Sequence, residues 1–255
     1  MEYIALGKSD LMVSRTAFGA MSLKDFANEE AAIALVHEAY ESGINFFDTS
    51  HSTPESEKRL GDCLHGIRQD VILSSKSSAQ SGNQLMSDLE ESLAALHTDY
   101  VDLFHFETEG FLPEKDKPDG IYKALKLIKK TGKARHIGLT TQTASVAFSA
   151  LADENSIFEV IQYPFNILTD EDSKKIVERC QIQDVGFIAM KPLYSGLVQN
   201  IRLAFGFLNQ FENVVPVWGV RESGELQQIL YYASHPPVID DAFKTEIETV
   251  YDFFN

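Results

Sequence analysis

Residues 29–50, EEAAIALVHEAYESGINFFDTS, hold one helix and one strand in succession. The first part repeats at helical spacing, with Ile33, Val36, His37 and Tyr40 on one stripe of a helix expected over Glu29–Ser42. The second part, Asn45–Ser50, is a short apolar run closed by polar residues, which reads as a strand. The same alternation recurs along the chain. Further strands are expected at Thr16–Met21, Val71–Lys76, Val101–Glu107, Ala134–Leu139, Phe158–Tyr163, Val185–Met190 and Val214–Trp218. Helices are expected at Asn83–His97, Ile121–Thr131, Thr169–Gln181, Ser223–Ala233 and Asp240–Phe254. Gly132 stands where a C-terminal glycine stop belongs, and Thr169 where an N-cap does. Eight strands alternating with helices imply a parallel α/β sheet, and eight such units can close into a (β/α)8 TIM barrel. An open doubly wound sheet would need a glycine-rich phosphate turn, yet no two of the 15 glycines are spaced G-x-G. Met1–Val13 reads as a short N-terminal β-hairpin, with Gly7 and Ser9–Asp10 at its turn, placed to plug the barrel's lower end.

The 255 residues suit one such barrel, so the domain expectation is a single unit over 1–255. With 38 acidic against 22 basic residues the net charge is −16, a field that repels nucleic acid and anionic membranes alike. A small anion held by local lysines or backbone amides stays compatible with it. No apolar run approaches the roughly 20 residues a bilayer crossing needs, and the N-terminus lacks a basic patch followed by an apolar core. The two cysteines, Cys63 and Cys180, belong to no metal-ligand spacing. The expectations are therefore a cytoplasmic location, no bound metal and a small-molecule substrate; oligomeric state is not legible.

In a (β/α)8 barrel, chemistry gathers at the C-terminal ends of the strands. Those ends carry Asp48-Thr49-Ser50-His51, Lys76, His105-Phe106-Glu107, Thr140-Thr141, Gln162 with Asn166, Met190-Lys191-Pro192 and Gly219-Val220-Arg221. Asp48 and Lys76 each end an apolar strand, where an unpaired charge costs several kcal/mol. Adjacent strands would bring them together. That pair reads either as a stabilising ion pair or as a lysine held charged to polarise a substrate oxygen. Glu107, if walled by Phe104, Phe106 and Phe111, would have a raised pKa and could donate a proton; otherwise it is a solvated loop residue. His51 and His105 read as pocket walls or acids, and His37 and His97 as packing or capping groups. Asp88 has no basic neighbour in its helix.

Taken in order, these segments resemble the aldo-keto reductase family over nearly the whole chain. The resemblance is carried by "YIALGKSDLMVSRTAFGAM", "AAIALVHEAYESGINFFDTS", "SEKRLGDCL", "VILSSK", "LEESLAALHTDYVDLF", "GKARHIGLTT", "VIQYPFNIL" and "GFIAMKPLYSG". It implies NADPH or NADH bound in an extended pose without a Rossmann glycine loop. It also implies that Asp48 and Lys76 match two members of a catalytic tetrad. Thr140 and Gln162 match positions that hold the nicotinamide carboxamide, Thr141 is a further cofactor-binding candidate beside them, and Met190 falls where a side chain stacks on the ring. Lys191, Pro192, Leu193, Gly219, Arg221 and Ser223 match segments that grip the pyrophosphate and adenosine.

The departures from that pattern bear on mechanism. Thr53 occupies the place of the proton-donating tyrosine, with Ser56-Glu57 fixing the register, and Glu107 occupies that of the histidine. A threonine hydroxyl is too weak an acid to donate as a tuned tyrosine does. Glu225 and Ile229 fall where an arginine for a 2′-phosphate and an asparagine for adenine are often found, which weighs toward NADH. Three readings follow: a nicotinamide-dependent oxidoreductase acting on a small carbonyl or enone, with Glu107 or His51 as atypical acid; a cofactor-binding or regulatory barrel without turnover; or a lyase or isomerase using Lys76 and Glu107.

Overall fold

Strands that are apolar on both faces must be covered on both, and closing the sheet on itself does this without leaving an edge. The computed structural model describes residues 1–153 and 155–254, and of Ser195 the backbone only. Its elements are β1 (Tyr3–Ala5), β2 (Met12–Ser14), β3 (Ala17–Gly19), α1 (Glu29–Glu41), β4 (Phe46–Asp48), α2 (Pro54–Cys63), β5 (Ile72–Ser77), α3 (Gly82–Ala95), β6 (Val101–Glu107), α4 (Ile121–Thr131), β7 (Ala134–Thr140), α5 (Ala144–Ala152), β8 (Val160–Pro164), α6 (Glu171–Ile182), β9 (Gly186–Met190), α7 (Ile201–Leu208), β10 (Val214–Gly219), α8 (Ser223–Ser234) and α9 (Asp241–Phe254). Strands β3 to β10 pair in parallel in chain order, and β10 closes on β3 through Val217–Ala17 and Trp218–Phe18. This is the expected (β/α)8 barrel.

The pleat sends alternate side chains to two separate cores. Phe47, Leu73, Phe104, Ile137, Leu139 and Phe187 pack outward beneath the helices. Phe46, Leu103, Val160, Ile188, Val215 and Val217 fill the barrel interior, joined by Leu6, Leu11 and Val13 from the β1–β2 hairpin, which does plug the lower end. Gly7 bridges Val185 with φ +55°, and a Cβ there would lie 2.2 Å from the Gly186 nitrogen, so only glycine fits.

Several local expectations need correction. Helices α2, α5 and α7 are present although no helical pattern announces them. In α1 the buried stripe is Ala32, Leu35, Val36 and Ala39, with His37 and Tyr40 half-buried at its edge, because small alanines allow closer approach to the strands. Asp170, not Thr169, caps α6 by accepting from the Ser173 amide; the Thr169 hydroxyl accepts from Asn166 instead. The first strand ends at Gly19 and passes into a 3-10 turn over Ala20–Asp25. Gly132 does end α4, in the left-handed conformation at φ +76°.

Candidate active site

Asp48 ends β4 and Lys76 lies near the end of β5, and parallel register makes the two strands neighbours through Asp48–Ser74. Both side chains turn inward. Lys76 Nζ donates to Asp48 Oδ2 at 2.8 Å and to the Thr49 carbonyl at 2.6 Å. Asp48 also accepts from Ser74 Oγ at 2.9 Å and Gln162 Nε2 at 3.2 Å, and Gln162 Oε1 accepts from Thr140 Oγ1 at 2.8 Å. Asp48 is 3% exposed and Lys76 5%. A buried ion pair of this kind is maintained by the completeness of its hydrogen bonds, and here four strands supply them.

This network floors a cavity of about 760 Å³ at the C-terminal end of the barrel, lined by Asp48, Lys76, Glu107 and Gln162 among others. Glu107 ends β6, and its carboxyl makes no hydrogen bond or ion pair among the described residues. Burial pushes its carboxyl up from the ordinary range, and Asp48 and Glu109 add to this; Lys76 and Lys191 oppose it. The expected aromatic wall does not form. Phe104 and Phe106 alternate to the helix side, with Phe111 beside Phe106, so the barrel mouth itself half-buries Glu107.

Two residues expected at the centre do not reach the cavity lining. Thr53 caps α2 with its carbonyl, and its hydroxyl donates to the Ser50 carbonyl at 3.1 Å. His51 turns behind the barrel wall, with Nδ1 3.3 Å from Ser92 Oγ and Nε2 3.5 Å from Asp88. Asp88, which has no cation in its own helix, thus finds His51 from another element and also accepts from Ser77 Oγ. Beneath the floor, His105 is fully buried against Gly138, and among the described residues neither ring nitrogen has a hydrogen bond of good geometry. Burial, with the charge of Lys76, lowers its pKa to about 3, so the ring is neutral.

The remaining wall is built by the tops of β8 to β10. Met190, Lys191, Pro192, Leu193, Gly219 and Arg221 all line the cavity, as the sequence suggests. Lys191 has φ +56° and donates to Gln142 Oε1. The Arg221 guanidinium makes no ion pair among the described residues, while its amide donates to Glu225 Oε2 at 2.8 Å. Thr141 and Ser223 stay outside the lining: Thr141 Oγ1 lies 3.4 Å from Glu109, and Ser223 donates to Glu38. Ser52 and Gln142 line the cavity although sequence singles out neither. Their signal was only adjacency to a strand end. Among the described residues no group of three or more His, Cys, Asp or Glu side chains could hold a metal.

Comparison with known proteins places the fold and floor in context. The sequence profile described as the Aldo/keto reductase family matches residues 15–204. The chain is 31% identical to the L-galactose dehydrogenase of Arabidopsis thaliana over 78% of its own length and 67% of that protein. It is 27% identical to an uncharacterized oxidoreductase of Bacillus subtilis, covering 94% of this chain and 87% of the other. An aldo-keto reductase structure from Bacillus halodurans, in its holo form, superposes with a TM-score of 0.83 at 23% identity, covering 98% and 96% of the two chains. The chain belongs to the aldo/keto reductase family, whose members are oxidoreductases using nicotinamide cofactors.

Proposed function

We propose that this chain reduces a small carbonyl or enone substrate with a nicotinamide cofactor, and that Glu107 supplies the proton. The observation that carries this reading is the pairing of a fully hydrogen-bonded Asp48–Lys76 floor with an unpartnered, half-buried carboxyl on the next strand. The donor set fits the cofactor. An Arg221 guanidinium without an ion pair among the described residues and the Lys191–Leu193 segment would suit a pyrophosphate, and Gln162 and Met190, both in the lining, would hold a carboxamide and ring. When bound, a reduced nicotinamide supplies hydride chemistry. Lys76 then holds and polarises the substrate oxygen through its remaining N–H, Asp48 keeps that ammonium in place, and Glu107 passes its proton to the oxygen or carbon that gains charge. Glu225, within the lining, would lie against a 2′-phosphate, so NADH is the preferred form. Two buried, unpaired cysteines suit a reducing cytoplasm.

The test is a fluorescence titration with NADH and NADPH followed by turnover across a carbonyl panel. Binding of NADH with oxidation that Glu107→Gln abolishes while leaving nucleotide affinity intact is expected; absence of binding to either nucleotide sinks the reading. The locked Thr53 hydroxyl favours one alternative, a cofactor-binding barrel without turnover. That alternative predicts binding with no oxidation of any carbonyl. A lyase or isomerase using Lys76 as a Schiff-base nucleophile is disfavoured, because Nζ already donates to both Asp48 and Thr49.

A further inference from the structure

Apolar side chains meet the helices over most of the outer barrel wall, but β5 departs from that pattern directly behind Lys76. Its register sets Ser75 beside Phe104 and Ser77 beside Phe106. Both phenylalanines pack in the outer core, whereas the two serines, equally buried, face carboxyl groups. Ser75 Oγ donates to Glu57 Oε1 of α2 at 2.6 Å, and Ser77 Oγ donates to Asp88 Oδ2 of α3. Asp88 then reaches the end of the neighbouring strand. Its Oδ1 lies 3.5 Å from His51 Nε2, and His51 Nδ1 lies 3.3 Å from Ser92 Oγ, one turn further along α3. The Asp88 carboxylate can only accept, so Nε2 carries a proton toward it. One acid on α3 thus ties the ends of β4 and β5 together from outside the barrel.

Those two strand ends carry the floor. The segment after β4 clips Lys76 twice: the His51 amide donates to the Lys76 carbonyl at 3.0 Å, and Lys76 Nζ donates to the Thr49 carbonyl at 2.6 Å. Where the ammonium sits therefore depends on where Thr49–His51 sits, and the His51 ring ties that segment to α3. Aliphatic side chains at these outer positions would bury similar surface without drying hydroxyls and carboxyls. Apolar contacts slide, however, whereas hydrogen bonds fix length and direction, so a polar layer here specifies one placement of the strand ends.

We infer that His51 and Asp88 are positioning residues, which set the placement of the Lys76 ammonium by clamping the Thr49–His51 segment and the end of β5 to α3. Neither residue lines the cavity, so both act through Lys76 and not on substrate or cofactor. This inference rests on the reductase reading above and extends its machinery behind the barrel wall.

Steady-state reduction with NADH tests it, using whichever of propanal, glyceraldehyde and benzaldehyde the wild type turns over fastest. His51→Ala should lower kcat by about tenfold or more, since a misplacement of about 1 Å can cost about a hundredfold. NADH affinity by fluorescence and the aldehyde KM should stay nearly unchanged, and amide exchange over residues 49–53 should rise. His51→Gln, whose amide can still donate toward Asp88, should recover most of the loss. Asp88→Ala should lower kcat as far, and the double variant should add little, because both changes open one link. Ser92→Ala removes only the Nδ1 contact and should cost kcat severalfold, which keeps the inference testable if His51→Ala does not fold. Four results overturn it while leaving the reductase intact: kcat or exchange unchanged in His51→Ala (or kcat unchanged in Ser92→Ala if that variant does not fold), no recovery in His51→Gln, additive losses in the double variant, or a fall in kcat matched by an equal loss of NADH affinity. A wild type that binds NADH but reduces none of these aldehydes, nor any of a wider carbonyl panel, removes the reductase reading and this one with it.

Discussion

Replacing Lys76 with Met tests whether the floor is one electrostatic unit. The variant keeps most of the side-chain volume but strands Asp48, which is 3% exposed and retains only the neutral donors Ser74 and Gln162. Removing one partner of a buried pair costs about 3–5 kcal/mol. The two surviving donors place the expected loss at the lower end, about 3 kcal/mol. For a chain of this size that lowers the thermal midpoint by about 6–12 °C. Adding Asp48→Asn removes the stranded charge, so the double variant should be about 2 kcal/mol more stable than the sum of the single losses. Urea unfolding of wild type, both single variants and the double variant measures both quantities. A loss below about 1 kcal/mol that is additive would refute the account.

Three further outcomes are expected. Gly138→Ala puts a Cβ 2.4 Å from His105 Nδ1 inside a filled barrel, and should cost about 1–3 kcal/mol of overpacking in the urea midpoint, largely recovered when His105→Ala is added. His136 donates to Glu159 and Asp10 and has a pKa raised above 6.5, so its share of stability is full below that value and is lost as pH rises through the folded pKa; His136→Gln should flatten that slope in pH-dependent unfolding. Phe243 is the one fully buried side chain of α9, seated over Gly206. Phe243→Ala should release that helix and speed tryptic cleavage at Lys244 with little change in the barrel's own midpoint, and an unchanged cleavage rate would count against this anchoring role.

The barrel was legible because each strand is apolar, short and punctuated, and its order needs no long-range information. The helices that escaped notice share a physical cause. α2 buries Ser56, Glu57, Gly61 and Cys63 with Leu60, so its inward face is mostly polar or small. α5 is rich in alanine, and α7 is buried almost all round, so neither shows a stripe. At the site, Asp48, Lys76, Glu107 and Gln162 could be read from sequence because strand register alone fixes where they point. His51 could not. Its ring direction is decided by Ser92 and Asp88, on a helix some forty residues further along. The fate of Thr53 was equally hidden, since a free hydroxyl and one bonded to its own turn have the same sequence.

The location of the proton follows from the floor's charge balance. Two carboxyls, Asp48 and Glu107, share the barrel mouth; Lys76 is bonded to Asp48, and Lys76 and Lys191 offset only part of the burial that opposes a charge on Glu107. One carboxyl must hold the proton more readily, and the hydrogen bonds choose between them. Asp48 accepts from Lys76, Ser74 and Gln162. The Glu107 carboxyl accepts from nothing among the described residues, and the Asp48 charge itself raises its pKa. In the proposed function the two carboxyls divide the roles, Asp48 as fixed counter-charge and Glu107 as acid. Glu107 stands on a strand whose pairing with β7 through Glu107–Thr140 holds it in register with the Gln162 network. A reaction run this way needs Glu107 protonated, so its rate should fall as pH rises through the raised Glu107 pKa, and Glu107→Gln should remove both the rate and that limb.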